Sequence, residues 1–277
     1  MNILANGISV NYELSGPEGA PVVMLCHSLS ATLAMWDAQM VALTARYRVL
    51  RYDLRGHGGS EAPGGAYSFD MLADDAVALL STLKIRRCHF VGLSIGGMIG
   101  QALGIRPETE IASLSLCATS SHVPAELHAV WDGRMQQARA QGMASLAQPT
   151  LERWFTAAFR ANRTAELARF EAMISNTPVN GYTGCASAIK LLNLTEQLPR
   201  ISVPTLLIVG RDDPGTPVAA SEVIQREIAG SELVVLEHAM HLCNIEQPEA
   251  FNRVLLAFLS RQAHGEFTLP TMHRGIM

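Results

Sequence analysis

The sequence predicts an α/β fold, a mostly parallel, doubly wound sheet with an inserted helical cap. Short apolar runs typical of buried parallel strands alternate with stretches of helical spacing up to about residue 119. The same alternation resumes near residue 203, whereas residues 120–188 show helical spacing and no β-branched run. A length of 277 residues suits one large domain with an insertion.

The first half of the chain supplies the strands and helices in alternating order. Strands are predicted at "GISVNYELSG", "PVVMLC", "YRVLRYDLRG", "HFVGLS" and "IASLSLCAT". Helical spacing covers residues 31–45 and "SFDMLADDAVALLSTL", and a glycine-rich helix begins at Ile95. Such an order indicates parallel strands joined by right-handed crossovers, with helices on both faces of the sheet.

The second half completes the core. "VPTLLIVG" and "SELVVLEH" are predicted strands, and "PVAASEVIQREIAG" and "PEAFNRVLLAFLSRQ" are predicted helices. The prediction therefore assigns residues 1–119 and 189–261 to the core, residues 120–188 to the cap and residues 262–277 to a C-terminal tail.

Composition and charge exclude several classes of partner. A net charge of −4 and the lack of a basic, aromatic-rich run argue against nucleic acid as a partner. No run approaches the ~18 apolar residues of a membrane span, and the N-terminus lacks the pattern of a secretory signal. The five cysteines show no metal-like spacing, so we expect reduced thiols, no metal site and a cytoplasmic protein. A homo-oligomer is compatible with the sequence.

One serine stands out as a candidate nucleophile. "GLSIG" (residues 92–96) fits the G-x-S-x-G elbow, in which the chain turns sharply from strand to helix. It follows an apolar strand and opens a helix rich in small residues, as that turn requires. The helix N-terminus also directs its dipole and free N–H groups at the serine. Ser94 is therefore the predicted nucleophile, the alternative being a small residue tolerated in a βα turn.

An acid and a histidine follow Ser94 in the chain order of a Ser-Asp-His triad. Asp212 and Asp213 follow one predicted strand, and His238 and His241 follow the next. Asp213 is preferred because it lies further beyond its strand and precedes a proline, which leaves Asp212 to cap the turn. His241 is preferred to His238 because it stands a loop's length beyond its strand.

Two backbone donors are predicted to bind the oxyanion of such a reaction. One is the N–H of Ile95, directly after the nucleophile, and the other is the N–H of Leu29, in the loop after "PVVMLC". The motif "DLRGHGGS" (residues 53–60) also contains titratable side chains, but it is interpreted as a tight structural turn rather than a catalytic loop.

Together these motifs resemble the α/β-hydrolase superfamily from Gly7 to about Ser260. The resemblance rests on "DLRGHGGS", "GLSIGGMIGQ", "VPTLLIVGRDDPGTP" and "HLCNIEQPEAF". Within that superfamily the chain is similar to the 3-oxoadipate enol-lactonases in "SLSATLAMWDAQM", "RWF" and "TPVNGYTGCASAIK". The oxyanion loop of those enzymes tends to read Asn-Ser-Leu-Gly. Here Ser28 and Leu29 agree with it, while His27 and Ser30 depart.

The resemblance implies hydrolysis of a small carboxylated lactone, with no metal and no organic cofactor. A carboxylated substrate needs a cation in the pocket, and Arg134 and Lys190 are the candidates, although a single surface cation more often serves solubility. Ser28 and Trp131 are the further predicted substrate-binding residues. For Trp131 the alternative is packing between cap and core.

Two other functions remain open from the sequence. A general carboxylesterase for small acyl esters would use the same triad. A receptor of the same fold would bind its ligand with little or no turnover, because fold alone does not determine function.

Overall fold

An eight-stranded sheet forms the centre of the computed structural model, which describes residues 1–106 and 110–264. Its strands are β1 (Asn2–Ala5), β2 (Ile8–Ser15), β3 (Val22–Cys26), β4 (Arg48–Tyr52), β5 (Cys88–Leu93), β6 (Ile111–Cys117), β7 (Thr205–Gly210) and β8 (Glu232–Leu236). Their spatial order is β1-β2-β4-β3-β5-β6-β7-β8. β1 and β2 pair antiparallel, as do β2 and β4, and the remaining neighbours are parallel. The predicted mostly parallel sheet is thus confirmed.

Helices connect the strands and cover the sheet. They are α1 (Asp37–Thr44), α2 (Phe69–Thr82), α3 (Ile95–Ile105), α4 (His128–Gln141), α5 (Ala147–Trp154), α6 (Ala157–Asn162), α7 (Thr164–Ser175), α8 (Val179–Lys190), α9 (Val218–Glu227), α10 (Cys243–Glu246) and α11 (Pro248–His264). Short 3₁₀ helices occupy Leu33–Trp36, Ala125–Leu127, Met143–Leu146 and Thr195–Arg200. None of the helices in the described part of the chain is both long and apolar enough to cross a membrane.

The central strands are buried on both faces because their side chains alternate between two hydrophobic cores. In β3, Met24 belongs to one core, and Val23 and Leu25 belong to the other. A strand whose two faces are both covered reads in sequence as a continuous apolar run. This explains why "PVVMLC" carries no polar alternation, and it places the carboxyl ends of β3, β5, β7 and β8 at one edge of the sheet.

All of α4 to α8 lie between β6 and β7, and we infer that this helical insertion is the predicted cap. An aromatic cluster packs inside it, with the ring centroids of Phe155 and Phe170 5.1 Å apart and those of Trp154 and Phe170 6.2 Å apart. The boundary predicted at residue 188 falls inside α8, which ends at Lys190.

The sequence-based boundaries differ from the structure at three further places. Residues 31–45 form a 3₁₀ turn followed by α1, not one helix. A further strand, β1, precedes the predicted first strand and forms a hairpin with it that turns at Asn6 and Gly7, with φ of 46° and 76°. The last helix continues to His264, beyond the end of the predicted helix at residue 262. Residues 265–277 of the predicted tail lie outside the described residues.

Candidate active site

Ser94 occupies a sharp turn between β5 and α3. Its φ of 61° and ψ of −118° lie in a region that side chains rarely adopt. The turn is possible because its neighbours lack a Cβ. A Cβ on Gly92 would lie 2.1 Å from the carbonyl oxygen of Gly96, and one on Gly96 would lie 2.3 Å from that of Cys26. The glycines of the motif are therefore required by backbone contact.

Hydrogen bonds hold this strained residue in place. The N–H of Ser94 donates to the carbonyl of Cys117 at 2.8 Å. Its own carbonyl accepts from the Thr119 hydroxyl at 2.9 Å and from the Met98 N–H at 3.0 Å. Backbone strain of this kind costs about 1–3 kcal/mol and persists only where surrounding contacts enforce it. Here those contacts come from β6 and α3.

Asp213 and His241 form a buried pair at the ends of β7 and β8. The Nδ1 of His241 lies 2.8 Å from the Oδ2 of Asp213. The other carboxylate oxygen accepts from the N–H groups of Gly215 at 2.8 Å and Thr216 at 3.1 Å, and the Thr216 hydroxyl donates to Oδ2 at 2.7 Å. Burial pushes the pKa of Asp213 upward, but His241 and Thr216 together hold it below its ordinary value. An ionised Asp213 requires the proton of a neutral His241 on Nδ1, which leaves Nε2 as an acceptor.

The neighbouring candidates have different surroundings. Asp212 and His238 are both exposed, and both line a groove that contains neither Ser94 nor His241. The structure thus pairs Asp213 with His241 and leaves the two alternatives at the surface.

Ser94 and His241 line one cavity of about 420 Å³, between the sheet edge and the helical insertion. Ser28 lies in the same wall. The residues that the insertion contributes include Trp131, Arg134, Arg153 and Trp154. This cavity brings together the predicted nucleophile and base with three of the predicted substrate-binding residues, Ser28, Trp131 and Arg134.

The two predicted oxyanion donors belong to two different segments of the core. Ile95 begins α3, and Leu29 lies in the loop after β3, partly buried against both hydrophobic cores. Within the described chain, the N–H groups of Ile95 and Leu29 donate to no other residue. The side chain of Ser28, not that of Leu29, lines the cavity.

Two buried histidines anchor the Leu29 loop. The Nε2 of His27 accepts from the Leu54 N–H at 2.9 Å, so its Nδ1 carries the proton and donates to the Ser28 carbonyl at 2.7 Å. The Nε2 of His57 accepts from the Ser30 N–H at 3.0 Å. Because each Nε2 accepts from a backbone N–H, both imidazoles are neutral. Burial lowers the pKa of His27, and burial, together with the electrostatic effect of the neighbouring His27 ring, lowers the pKa of His57 to about 3.

This anchoring gives the "DLRGHGGS" turn a role that the sequence left unspecified. Besides the bonds of His27 and His57, the Oδ1 of Asp53 accepts from the Leu33 N–H at 2.7 Å. The turn after β4 therefore holds the loop after β3 at three points. Ser30 sits at φ 64°, in the left-handed region that favours glycine, which is where the resembling loop has its glycine.

Two arginines face the cavity. The Arg134 guanidinium lies over the Trp131 ring, 5.0 Å from its centroid, and Arg153 donates to the Thr150 hydroxyl at 3.0 Å. Neither guanidinium forms a salt bridge within residues 1–106 and 110–264. Burial and the charge of Arg134 lower the pKa of Arg153 to about 10. Arg153 thus remains a cation at neutral pH, in a setting that disfavours its charge.

Lys190 lies elsewhere. Its Nζ binds both carboxylate oxygens of Asp132, at 2.7 and 2.9 Å, and it does not line the cavity. The second cation of the cavity is instead Arg153, which the sequence offered only as part of the "RWF" resemblance.

The family model for the alpha/beta hydrolase fold matches residues 21–248. The chain belongs to the α/β-hydrolase family. The match spans the strand that precedes the Leu29 loop, the Ser94 turn and the residues of the Asp213 and His241 pair. The α/β-hydrolase fold expected from the sequence is thus confirmed, and the protein is an ester or lactone hydrolase of this family.

Relatives of the hydrolase include lactonases and a further class of hydrolase. It is 35% identical over 259 residues to 3-oxoadipate enol-lactonase 2 of Acinetobacter baylyi, covering 94% of this chain and 96% of that one. It superposes on the crystal structure of the enol-lactonase from Burkholderia xenovorans LB400 with a TM-score of 0.90 and 38% identity, covering 94% and 100%. It is also 33% identical to a putative carbamate hydrolase RutD of Stutzerimonas stutzeri, covering 91% and 97%.

Proposed function

We propose that the hydrolase opens a small lactone bearing a carboxylate, such as 3-oxoadipate enol-lactone, with Ser94 as its nucleophile. The observation that carries this proposal is the composition of one cavity. Ser94 and the His241 of the Asp213 pair lie on its sheet side, and two arginines without a salt-bridge partner in the described chain lie on its insertion side. The similarity to enol-lactonases in sequence and structure supports it.

In the proposed reaction the Nε2 of His241 takes the proton of the Ser94 hydroxyl as Oγ attacks the ring carbonyl. Asp213 holds the imidazole in the tautomer that leaves Nε2 free and stabilises the imidazolium that forms. When the tetrahedral intermediate collapses, the ring C–O bond breaks and His241 protonates the leaving enol oxygen. Water, deprotonated by His241, then attacks the acyl-serine; the bond from Oγ of Ser94 to the acyl carbon breaks, His241 returns the proton to Oγ, and the opened acid is released.

The N–H groups of Ile95 and Leu29 would bind the oxyanion of both tetrahedral intermediates. A donor of this kind contributes about 2.7–4 kcal/mol to the transition state. The three bonds from the "DLRGHGGS" turn keep the Leu29 loop in position before substrate arrives. Donors held in advance need no reorganisation during the reaction, which is the source of their advantage over water.

Arg134 and Arg153 would bind the carboxylate of the substrate. A guanidinium binds a carboxylate through two parallel N–H···O bonds, which orients the ligand as well as attracting it. The Trp131 ring contacts the Arg134 guanidinium through a cation–π interaction, and Ser28 also lines the cavity. The low pKa of Arg153 supports this assignment, because a bound anion would relieve the cost of its buried charge.

Steady-state assays on 3-oxoadipate enol-lactone and on 4-nitrophenyl acetate, with Ser94→Ala as control, test the proposal. We expect a higher kcat/KM for the lactone and loss of both activities in Ser94→Ala. Preference for the neutral ester would indicate a general carboxylesterase, and tight binding with negligible turnover would indicate a receptor. Undiminished activity in Ser94→Ala would refute the nucleophile assignment.

A further inference from the structure

The carboxylate of Glu246 joins the helical insertion to the loop that carries His241. Its Oε2 accepts from the Met240 N–H at 2.6 Å. Its Oε1 accepts from both the N–H and the hydroxyl of Thr156, at 2.9 and 2.7 Å. Thr156 belongs to the insertion, where it caps α6 by accepting from the Phe159 N–H. One side chain of the core thus binds the residue before His241 and a residue of the insertion together.

A second bond completes the connection on the other side of His241. The N–H of Leu242 donates to the carbonyl of Trp154 at 3.2 Å. The two residues that flank His241 are therefore both tied to the same short segment, residues 153–156, at the end of α5. Arg153 and Trp154 of that segment line the cavity. The positions of His241 and Arg153 relative to each other are therefore fixed by hydrogen bonds in which neither of these two side chains takes part.

The hydrogen-bond donors around Glu246 match a carboxylate better than an amide. Three donors converge on the two oxygens of Glu246, and a carboxylate only accepts hydrogen bonds. An amide would present an NH₂ group to one of these donors. Burial raises the pKa of Glu246 despite the donors from Met240 and Thr156, and nearby Asp212 adds to that effect. The hydrogen bonds to Met240 and Thr156 are what Glu246 gains in return for the cost of partly burying its charge.

We propose that Glu246 is a positioning residue that fixes the cavity-facing segment of the insertion, with Arg153, relative to His241. This proposal rests on the proposed function, since it assumes that His241 is the base and that Arg153 binds the substrate carboxylate. Glu246 itself touches no reacting atom. Loss of its carboxylate would free Met240 on the core side and Thr156 on the insertion side, and would leave the Leu242–Trp154 bond as the remaining link. It would therefore lower both turnover and the preference for a carboxylated substrate.

Two 4-nitrophenyl esters separate these effects, one with a terminal carboxylate (mono-4-nitrophenyl succinate) and one neutral (4-nitrophenyl butyrate). In Glu246→Ala, assayed well below its unfolding temperature, we expect kcat to fall at least ten-fold on both esters. The ratio of kcat/KM for the charged ester to that for the neutral ester should fall at least five-fold. Adding Arg153→Ala to Glu246→Ala should lower the ratio little further, because Glu246 acts on the ratio through the position of the Arg153 cation, and the two effects are then not additive.

Matched variants distinguish positioning from general stability. Glu249, exposed at the start of α11, provides the control Glu249→Ala, for which kcat and the ratio should stay at the wild-type values. Thr156→Ser keeps both donors and should retain the wild-type ratio, whereas Thr156→Val loses the hydroxyl and should lower it.

A Glu246→Ala protein with a lower unfolding temperature but wild-type kcat and ratio would overturn the proposal. Other variants, in which Glu246 is intact, would show that the proposed function is wrong. Either Ser94→Ala would remain active, or Arg153→Ala would keep the wild-type ratio of kcat/KM for the charged ester to kcat/KM for the neutral ester. In the latter case the kcat of Glu246→Ala on the neutral ester still decides whether Glu246 positions His241.

Discussion

Arg134 and Arg153 line the same cavity, where burial and the charge of Arg134 together lower the pKa of Arg153. Two like charges held near each other in a partly buried wall oppose folding. A pair of like charges that lowers stability is expected where the residues have been selected for binding a ligand and not for stability.

Replacing Arg153 by Met should therefore separate stability from function. The variant removes a disfavoured charge and keeps an apolar stem, so the unfolding temperature should rise, by about 2–4 °C for each kcal/mol gained. Loss of a hydrogen bond to a charged group costs about 1.5–3 kcal/mol, so kcat/KM for a carboxylated lactone should fall about 10- to 150-fold. Arg139→Met, at an exposed position of α4, should change neither quantity. Calorimetry and lactone kinetics check both, and an Arg153→Met enzyme with full lactone activity would contradict the assignment.

Asp213→Asn should abolish most turnover while preserving the fold. The amide can place its NH₂ group against Nδ1 of His241 and so favour the tautomer that protonates Nε2. In serine hydrolases with this pairing, the change lowers kcat by about 10⁴-fold. Asp212→Asn, at the exposed neighbour, is the matched control and should retain activity. Pre-steady-state acylation with 4-nitrophenyl acetate measures the effect, and equal losses in the two variants would argue against Asp213.

His57 should make the protein less stable in mild acid. Burial, together with the electrostatic effect of the neighbouring His27 ring, holds the pKa of His57 at about 3, below its ordinary value of 6.5. Between those two pH values the unfolded chain binds a proton that the folded chain does not. The free energy of unfolding therefore decreases as the pH falls through this window, by about 1.4 kcal/mol per pH unit for one such histidine.

The variant His57→Gln tests this contribution. Glutamine can still accept from the Ser30 N–H but does not titrate, so the decline of stability with acid should become shallower. Urea unfolding at several pH values between about 4 and 6.5, just below the pKa of a free histidine, measures how steeply the free energy of unfolding changes with pH. An unchanged slope would show that His57 is not the buried neutral group responsible.

Two glycine substitutions should act in opposite directions. Gly96→Ala would bring a Cβ to 2.3 Å from the carbonyl oxygen of Cys26, and backbone has little freedom to move there. We expect a loss of about 1–3 kcal/mol or more. Gly133→Ala, within α4, meets nothing within 4 Å and should stabilise the protein by about 1 kcal/mol. Chemical denaturation compares the two, and equal stability of both variants would contradict the packing seen at Ser94.

The parts of the site that the sequence predicted well are those that follow strands. Ser94, Asp213 and His241 each come after a parallel strand, and parallel strands bring their carboxyl ends to one edge of the sheet. Strand pattern and chain order thus suffice to predict that these residues approach each other. The pairing of Asp213 with His241 at 2.8 Å agrees with that expectation, while their catalytic roles remain proposals.

The cations were predicted less well, for a physical reason. Arg134, Arg153 and Lys190 all lie on helices of the insertion, and the face that each helix turns toward the cavity depends on packing between helices. Lys190 instead meets Asp132, 58 residues earlier in the chain, through a contact that no local pattern indicates. The anchoring of Ser30 by His57 was missed similarly, because it joins two loops whose pattern shows only that each must turn.

Among the described residues, the two arginines that line the cavity come from one uninterrupted stretch of chain between β6 and β7, while Ser94 and His241, the proposed nucleophile and base, follow strands of the sheet. On the proposed function, substrate choice and bond cleavage are encoded in separate pieces of sequence. A chimaera that exchanges this stretch for that of another member of the fold would inherit a new preference and keep its chemistry. Inside the exchanged stretch, the carbonyl of Trp154 and the two donors of Thr156 would have to be preserved, because through them this stretch meets the His241 loop.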